Sequence, residues 1–152
     1  MTADRERPGV LTAPYVLEYT YRRSTGKTMG AFLTALRDGK LVGSRTKAGR
    51  VLVPPSEYDP DTGDSIDDQV DVADRGVVTT WAWVTAPRPG QPLERPFAWA
   101  LVQLDGADTA MLHAVDAGTI DAMKTGMRVK ARWNAERTGS IRDLACFEPE
   151  AT

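Results

Sequence analysis

The sequence predicts a mainly β protein in which a five-stranded barrel follows one amphipathic helix and a ribbon-like hairpin. Three observations carry this. Met29, Phe32, Leu33 and Leu36 recur at i, i+3, i+4 and i+7, one stripe of a helix. The stretch Gly43 to Gly63, GSRTKAGRVLVPPSEYDPDTG, has the outline of a hairpin with two knuckles. From Gly76 onward, short strand-like segments alternate with turn sequences.

Residues 1–13 are polar and punctuated by Pro and Gly, with too few apolar groups to offset chain entropy, and are expected to fray. Tyr15 to Arg22, YVLEYTYR, is rich in aromatic and β-branched residues, which predicts an extended segment or an arm that orders on a partner. The helix follows within residues 14–42, and Gly39 is its expected stop.

Residues 43–75 hold the ribbon-like module. A zinc ribbon presents two thiolates from each of two C-x-x-C-G knuckles. Here Arg45 and Ala48 precede Gly49 at that spacing, and Asp59 and Thr62 precede Gly63. Arg cannot ligate zinc and Ala has no donor. The expectation is a metal-free hairpin held by Val51, Leu52 and Val53, with Pro54 and Pro55 ending ladder pairing. Glu57 to Asp74 then carries eight acids and no base, the pattern of a mobile, solvated loop.

Residues 76–149 read as the barrel. Its expected strands are Val77 to Thr85, Phe97 to Leu104, Ala110 to Val115, Met127 to Asn134 and Ser140 to Phe147. Between the third and fourth, Ile120 to Met123 is expected to form a short helical turn. Five short strands with such a break predict a Greek-key barrel of the oligonucleotide/oligosaccharide-binding (OB) type.

With 152 residues the chain suits one compact unit. A net charge of −2 provides no global field for a phosphate backbone, which argues against nucleic acid. One cysteine, Cys146, allows neither an internal disulfide nor a multi-thiolate metal site. The start, MTADRERPG, lacks the apolar centre of a signal peptide, and no run approaches the roughly 18 apolar residues of a membrane span. A soluble cytoplasmic protein without a cofactor is expected.

His113 is the single histidine, so any His-dependent acid–base scheme must run through it. Asp116 lies three places on, on the opposite face of a regular strand, and a histidine built into a barrel wall is the competing reading. Cys146 sits in LACF, a context for an inert buried thiol. Asp59-x-Asp61-x-Gly63-Asp64 imitates a calcium loop, but its glycine comes one place early and the twelfth position is Val70. Gly26-Lys27-Thr28 copies the tail of a phosphate-binding loop, with Tyr21 where the first glycine belongs.

Trp81, Trp83, Trp99 and Trp133 are expected to pack in the core or an interface. The basic residues Arg128, Lys130 and Arg132 fall on the face opposite Trp133, which leaves no basic groove lined by aromatics. Trp81 and Trp83 share a face and would form a partner-seeking patch if that face were open. Tyr19 and Tyr21 lead into Arg22-Arg23-Ser24-Thr25-Gly26, a cationic turn that is either solvated or set against an acidic partner or coenzyme phosphates.

In this order of elements the chain resembles the OB-fold proteins with an N-terminal rubredoxin-like zinc ribbon that accompany acyl-CoA enzymes, chiefly thiolases and lipid-transfer-protein-type aldolases. Phe32 to Leu36 and Gly39-Lys40-Leu41 carry the likeness around the helix. In the ribbon it rests on Gly49-Arg50-Val51, Val53-Pro54-Pro55 and Asp59-Pro60-Asp61-Thr62-Gly63. In the barrel it rests on Gly76-Val77-Val78, Pro96-Phe97, Ala100 to Asp105, Gly126-Met127-Arg128-Val129 and Phe147-Glu148-Pro149. The zinc-binding members have cysteines where this chain has Arg45, Ala48, Asp59 and Thr62. The resemblance implies a non-catalytic subunit docked on a thiolase-fold partner, in a heterotetramer, with the partner binding the acyl-CoA and holding the reacting groups. Some relatives serve aldolases that cleave the side chain of steroid-CoA esters. Two other functions stay open at this point: a self-sufficient hydratase or thioesterase using His113, and a single-stranded nucleic-acid-binding module.

Overall fold

Thr28, Phe32 and Leu36 form the buried line of helix α1 (Gly26–Arg37). A computed structural model describes Leu11 and residues 13–150 of the chain. The expected fraying of residues 1–13 therefore falls almost wholly outside the described residues. The stripe is rotated from its expected position, since Met29 is exposed and Leu33 half-buried. Residues at i, i+4 and i+8 lie nearest the supporting sheet, which leaves 29 and 33 on the shoulder. The helix ends as expected, with Gly39 at φ 71° and its N–H donating to the Leu36 carbonyl at 3.0 Å.

Residues 13–25 form no regular element, and all of them are exposed. Among the described residues, the segment Tyr15 to Arg22, expected to be extended or to order on a partner, has no ladder partner.

Behind the helix lies a three-stranded antiparallel sheet in the order β2 (Val51–Leu52), β1 (Leu41–Arg45), β3 (Asp68–Val72). Strand β3 corrects the reading of 57–74 as one acidic loop. Ile66 and Val72 are buried and Val70 is half-buried, so apolar groups recur among the acids. The acids are also met by cations, as in the pairs Lys27–Asp67 at 3.0 Å and Arg45–Asp68 at 3.5 Å.

Strands β4 (Arg75–Val84), β5 (Phe97–Leu104), β6 (Ala110–Val115), β7 (Arg128–Trp133) and β8 (Leu144–Pro149) close a barrel in the order β4-β5-β6-β8-β7. Pairing is antiparallel throughout except where β6 meets β8 in parallel at Val115 and Phe147. This is the expected mainly β architecture of a five-stranded barrel preceded by a helix and a hairpin-like sheet. The turn between β6 and β7 is a 3-10 helix over Ile120–Ala122. The last strand starts at Leu144 rather than Ser140, because Ser140 and Asp143 form a capping box on a 3-10 turn, Ile141–Asp143.

One apolar core runs through all the pieces, from Phe32 and Leu36 through Leu41, Val53 and Val72 to Val78, Val102, Met111 and Phe147. Hydrogen bonds also fasten the hairpin to the barrel. The Val51 N–H donates to Asp108 at 2.8 Å and the Val53 N–H to Thr109 Oγ1 at 2.7 Å, both residues lying in the β5–β6 turn.

Candidate functional site

At the knuckles, charge and hydrogen bonding stand where thiolates would be. Thr46 Oγ1 accepts from the Arg50 N–H at 3.2 Å and shapes the first knuckle. Asp59 shapes the second, its buried carboxylate accepting from the Asp61 N–H at 2.9 Å. Across the gap Lys47 pairs with Asp64 at 3.0 Å and Arg50 with Asp61. Arg45 is engaged by Asp68, Ala48 offers no donor, and Thr62 Oγ1 accepts from the Asp64 N–H. These residues do not fit a tetrahedral zinc site. Among the described residues no group of three or more His, Cys, Asp or Glu is placed to hold a metal ion.

His113 lies on β6, 5% exposed, with its ring 5.9 Å edge-on from Phe147. Its Nδ1 has no hydrogen-bond partner among the described residues. Burial pushes the imidazole pKa below its ordinary value. Asp116 does not serve it, because that carboxylate binds Arg95 and Arg132. Among the described residues the ring thus has no acid to orient it as a general base. It borders an open groove of about 780 Å³ with Leu93, Trp99, Leu112, Ile141 and Arg142. Leu112 and Ile141 are exposed there, and Trp99 packs edge-to-face on Phe97 with ring centroids 5.3 Å apart. The Cys146 thiol is fully buried beside Phe97 and Ala114, and burial pushes its pKa up to about 11.

The depressed His113 pKa sets a pH dependence. Below about pH 6.5 the unfolded chain takes up a proton that the folded chain refuses, so stability falls as pH drops through that value. Thermal midpoints from pH 7.5 to 5 are expected to fall, and His113→Gln should remove that part of the slope. An unchanged slope in the variant would assign it to other groups.

Trp81 and Trp83 are half-buried and rest against the core, so their shared face is not an open patch. Arg128, Lys130 and Arg132 are all paired: Arg128 with Asp105 and Glu150, Lys130 with Glu148, and Arg132 with Asp116 and Glu148. Tyr19, Tyr21, Arg22 and Arg23 lie together on the exposed N-terminal arm, far in sequence from His113 and the two tryptophans. Sequence reading missed the Arg95–Asp116–Arg132 cluster. Its members come from the β4–β5 loop, the end of β6 and β7, and no local spacing connects them.

Residues 69–134 match a family model described as ChsH2, C-terminal OB-fold domain. The barrel is similar to that ChsH2 domain. The matched segment runs from β3 past the end of β7. Similarity of fold covers more of the chain when whole structures are compared. A DUF35-family protein of unknown function from Sulfolobus solfataricus has a TM-score of 0.63 at 20% identity, covering 83% of this chain and 87% of that one. A chain of an Ltp2-ChsH2(DUF35) aldolase has a TM-score of 0.62 at 23% identity, covering 84% of this chain and 98% of that one. No curated protein matches the sequence. Among the described residues no helix is long and apolar enough to cross a membrane.

Proposed function

We propose that this chain is a non-catalytic accessory subunit of a thiolase-fold acyl-CoA enzyme, an aldolase of the lipid-transfer-protein type in the first place. The observation that carries the reading is the likeness to a chain of the Ltp2-ChsH2(DUF35) aldolase over 98% of that chain's length. The residues support it from a second side, because the groups chemistry would recruit are engaged or shielded: His113 has no orienting acid among the described residues, and Cys146 is a high-pKa buried thiol. In this reading the partner binds the acyl-CoA and performs the retro-aldol step. The present chain stabilises the partner and shapes the space for a bulky acyl group of steroid size. The assembly is a cytoplasmic heterotetramer, and the ribbon-like module works without zinc.

Co-expression with candidate thiolase-fold subunits, followed by native mass measurement and acyl-CoA cleavage assays, tests this. A heteromer whose cleavage activity needs both chains is the expected result. A partner fully stable and active alone overturns it, as does partner-free turnover that His113→Ala abolishes.

A further inference from the structure

Among the described residues, five of the eleven exposed large hydrophobic side chains fall within seven positions of the N-terminal arm. Tyr15, Val16, Leu17, Tyr19 and Tyr21 are each between 69% and 84% exposed. Three of the four tyrosines in the chain are here. A solvated tail is typically poor in aromatics, which instead concentrate where two proteins meet. The arm also has an internal order. In an extended chain Tyr15, Leu17, Tyr19 and Tyr21 fall on one face, and Val16, Glu18, Thr20 and Arg22 on the other. Tyr19 and Tyr21 already stand side by side, their ring centroids 6.4 Å apart. The charge is polarised as well. Arg22 and Arg23 follow the aromatic run, and among the described residues neither has an acid partner, although most of the other arginines are paired.

We infer that residues 15–23 dock on the thiolase-fold partner as an added strand, an inference that rests on the function proposed above. The odd-numbered side chains enter a row of apolar pockets beside an exposed sheet edge of the partner, and Arg22 and Arg23 meet an acidic rim at its end. Main-chain hydrogen bonds supply register, and alternate side chains supply specificity. The β-branched and aromatic composition suits this mode, and among the described residues no strand pairs with the arm, which leaves its backbone groups available. The exposed helix start at Gly26 lets the arm leave the body without disturbing the core.

The test uses the full chain, a chain lacking residues 1–21, and two alanine pairs, with the thiolase-fold subunit that forms a heteromer with the full chain as probe. Loss of at least a hundredfold in affinity on deletion is expected. Tyr19→Ala with Tyr21→Ala should cost at least tenfold, and Glu18→Ala with Thr20→Ala less than threefold. The Tyr pair should leave the thermal midpoint of the free chain unchanged, because these side chains touch no core residue. Equal binding by the truncated chain overturns the inference while leaving the proposed function intact. If no thiolase-fold subunit binds the full chain, both fail. Equal loss from the two alanine pairs overturns the strand mode. Self-association of the free chain that disappears with the arm overturns it in favour of a second copy, and arm-dependent binding to lipid vesicles overturns it in favour of a membrane surface.

Discussion

Gly76→Ala is expected to destabilise the protein by at least about 3 kcal/mol, at the upper end of the cost of overpacking a core. Gly76 lies on β4 between two neighbours, paired with Leu104 of β5 and Val129 of β7. A Cβ there would stand 2.1 Å from the Gln103 carbonyl oxygen and 2.7 Å from the Leu104 Cα. These are backbone atoms and cannot move aside by changing rotamer, so β4 must part from β5 where the barrel begins. Urea unfolding midpoints measure the effect, with Gly30→Ala as the contrast. Gly30 sits inside α1, and its nearest neighbour would be the Thr25 hydroxyl at 3.3 Å, the end of an exposed side chain that can rotate. Alanine there should add about 0.5–1 kcal/mol, by lowering the entropy of the unfolded chain and raising helix propensity. The same substitution then acts with opposite sign at two sites. A Gly76→Ala protein within 1 kcal/mol of the parent would show that the strands can separate cheaply.

The barrel was legible because its strands are apolar runs bounded by Gly-, Pro- and Asp-rich turns, and β5 and β6 fall where the sequence puts them. The small sheet was not. Strand β1 is five residues long with a glycine at its centre, and β3 hides its apolar positions among acids. What makes β3 a strand is the partner β1, about 25 residues away in sequence, together with cations that neutralise its flank. The helix was legible, but the rotation of its buried line depends on the sheet below it. Of the candidate residues, the alternation argument put Asp116 out of reach of His113, and Arg95 and Arg132 hold that carboxylate. The knuckles gave away their missing ligands at once. Their cross-gap pairs Lys47–Asp64 and Arg50–Asp61 could not be read, because any of several nearby acids would have matched each base.

Asp116→Asn should lower stability by about 2–3 kcal/mol. The Asp116 side chain is 4% exposed at the end of β6, beside the single parallel junction between β6 and β8. Its Oδ2 accepts from Arg132 Nη1 at 3.0 Å and from Arg95. Hydrogen bonds to charged groups each contribute about 1.5–3 kcal/mol. The figure stays below the sum of two such bonds because Arg95 is 64% exposed and recovers hydration when released, while Arg132 keeps Glu148 at 3.4 Å. Burial pushes the Asp116 pKa up, but the Arg95 and Arg132 guanidiniums outweigh it and hold the carboxyl below the usual carboxylate range. The direction of the pH dependence follows. Above about pH 5 the group is ionised whether folded or unfolded and its contribution is complete; as pH falls through the depressed folded value, the folded state must take up a proton and the contribution is lost. Parent and variant should therefore differ by a constant amount above pH 5 and converge below it, as urea unfolding across that range would show. Arg95 lies on the loop of residues 85–96 that joins β4 to β5, so amide exchange in that loop should quicken in the variant. A double-mutant cycle with Arg95→Ala should return a coupling of about 1 kcal/mol. A difference between the two proteins that persists unchanged to pH 2 would mean that the shape of the side chain, and not its charge, holds the loop against the barrel.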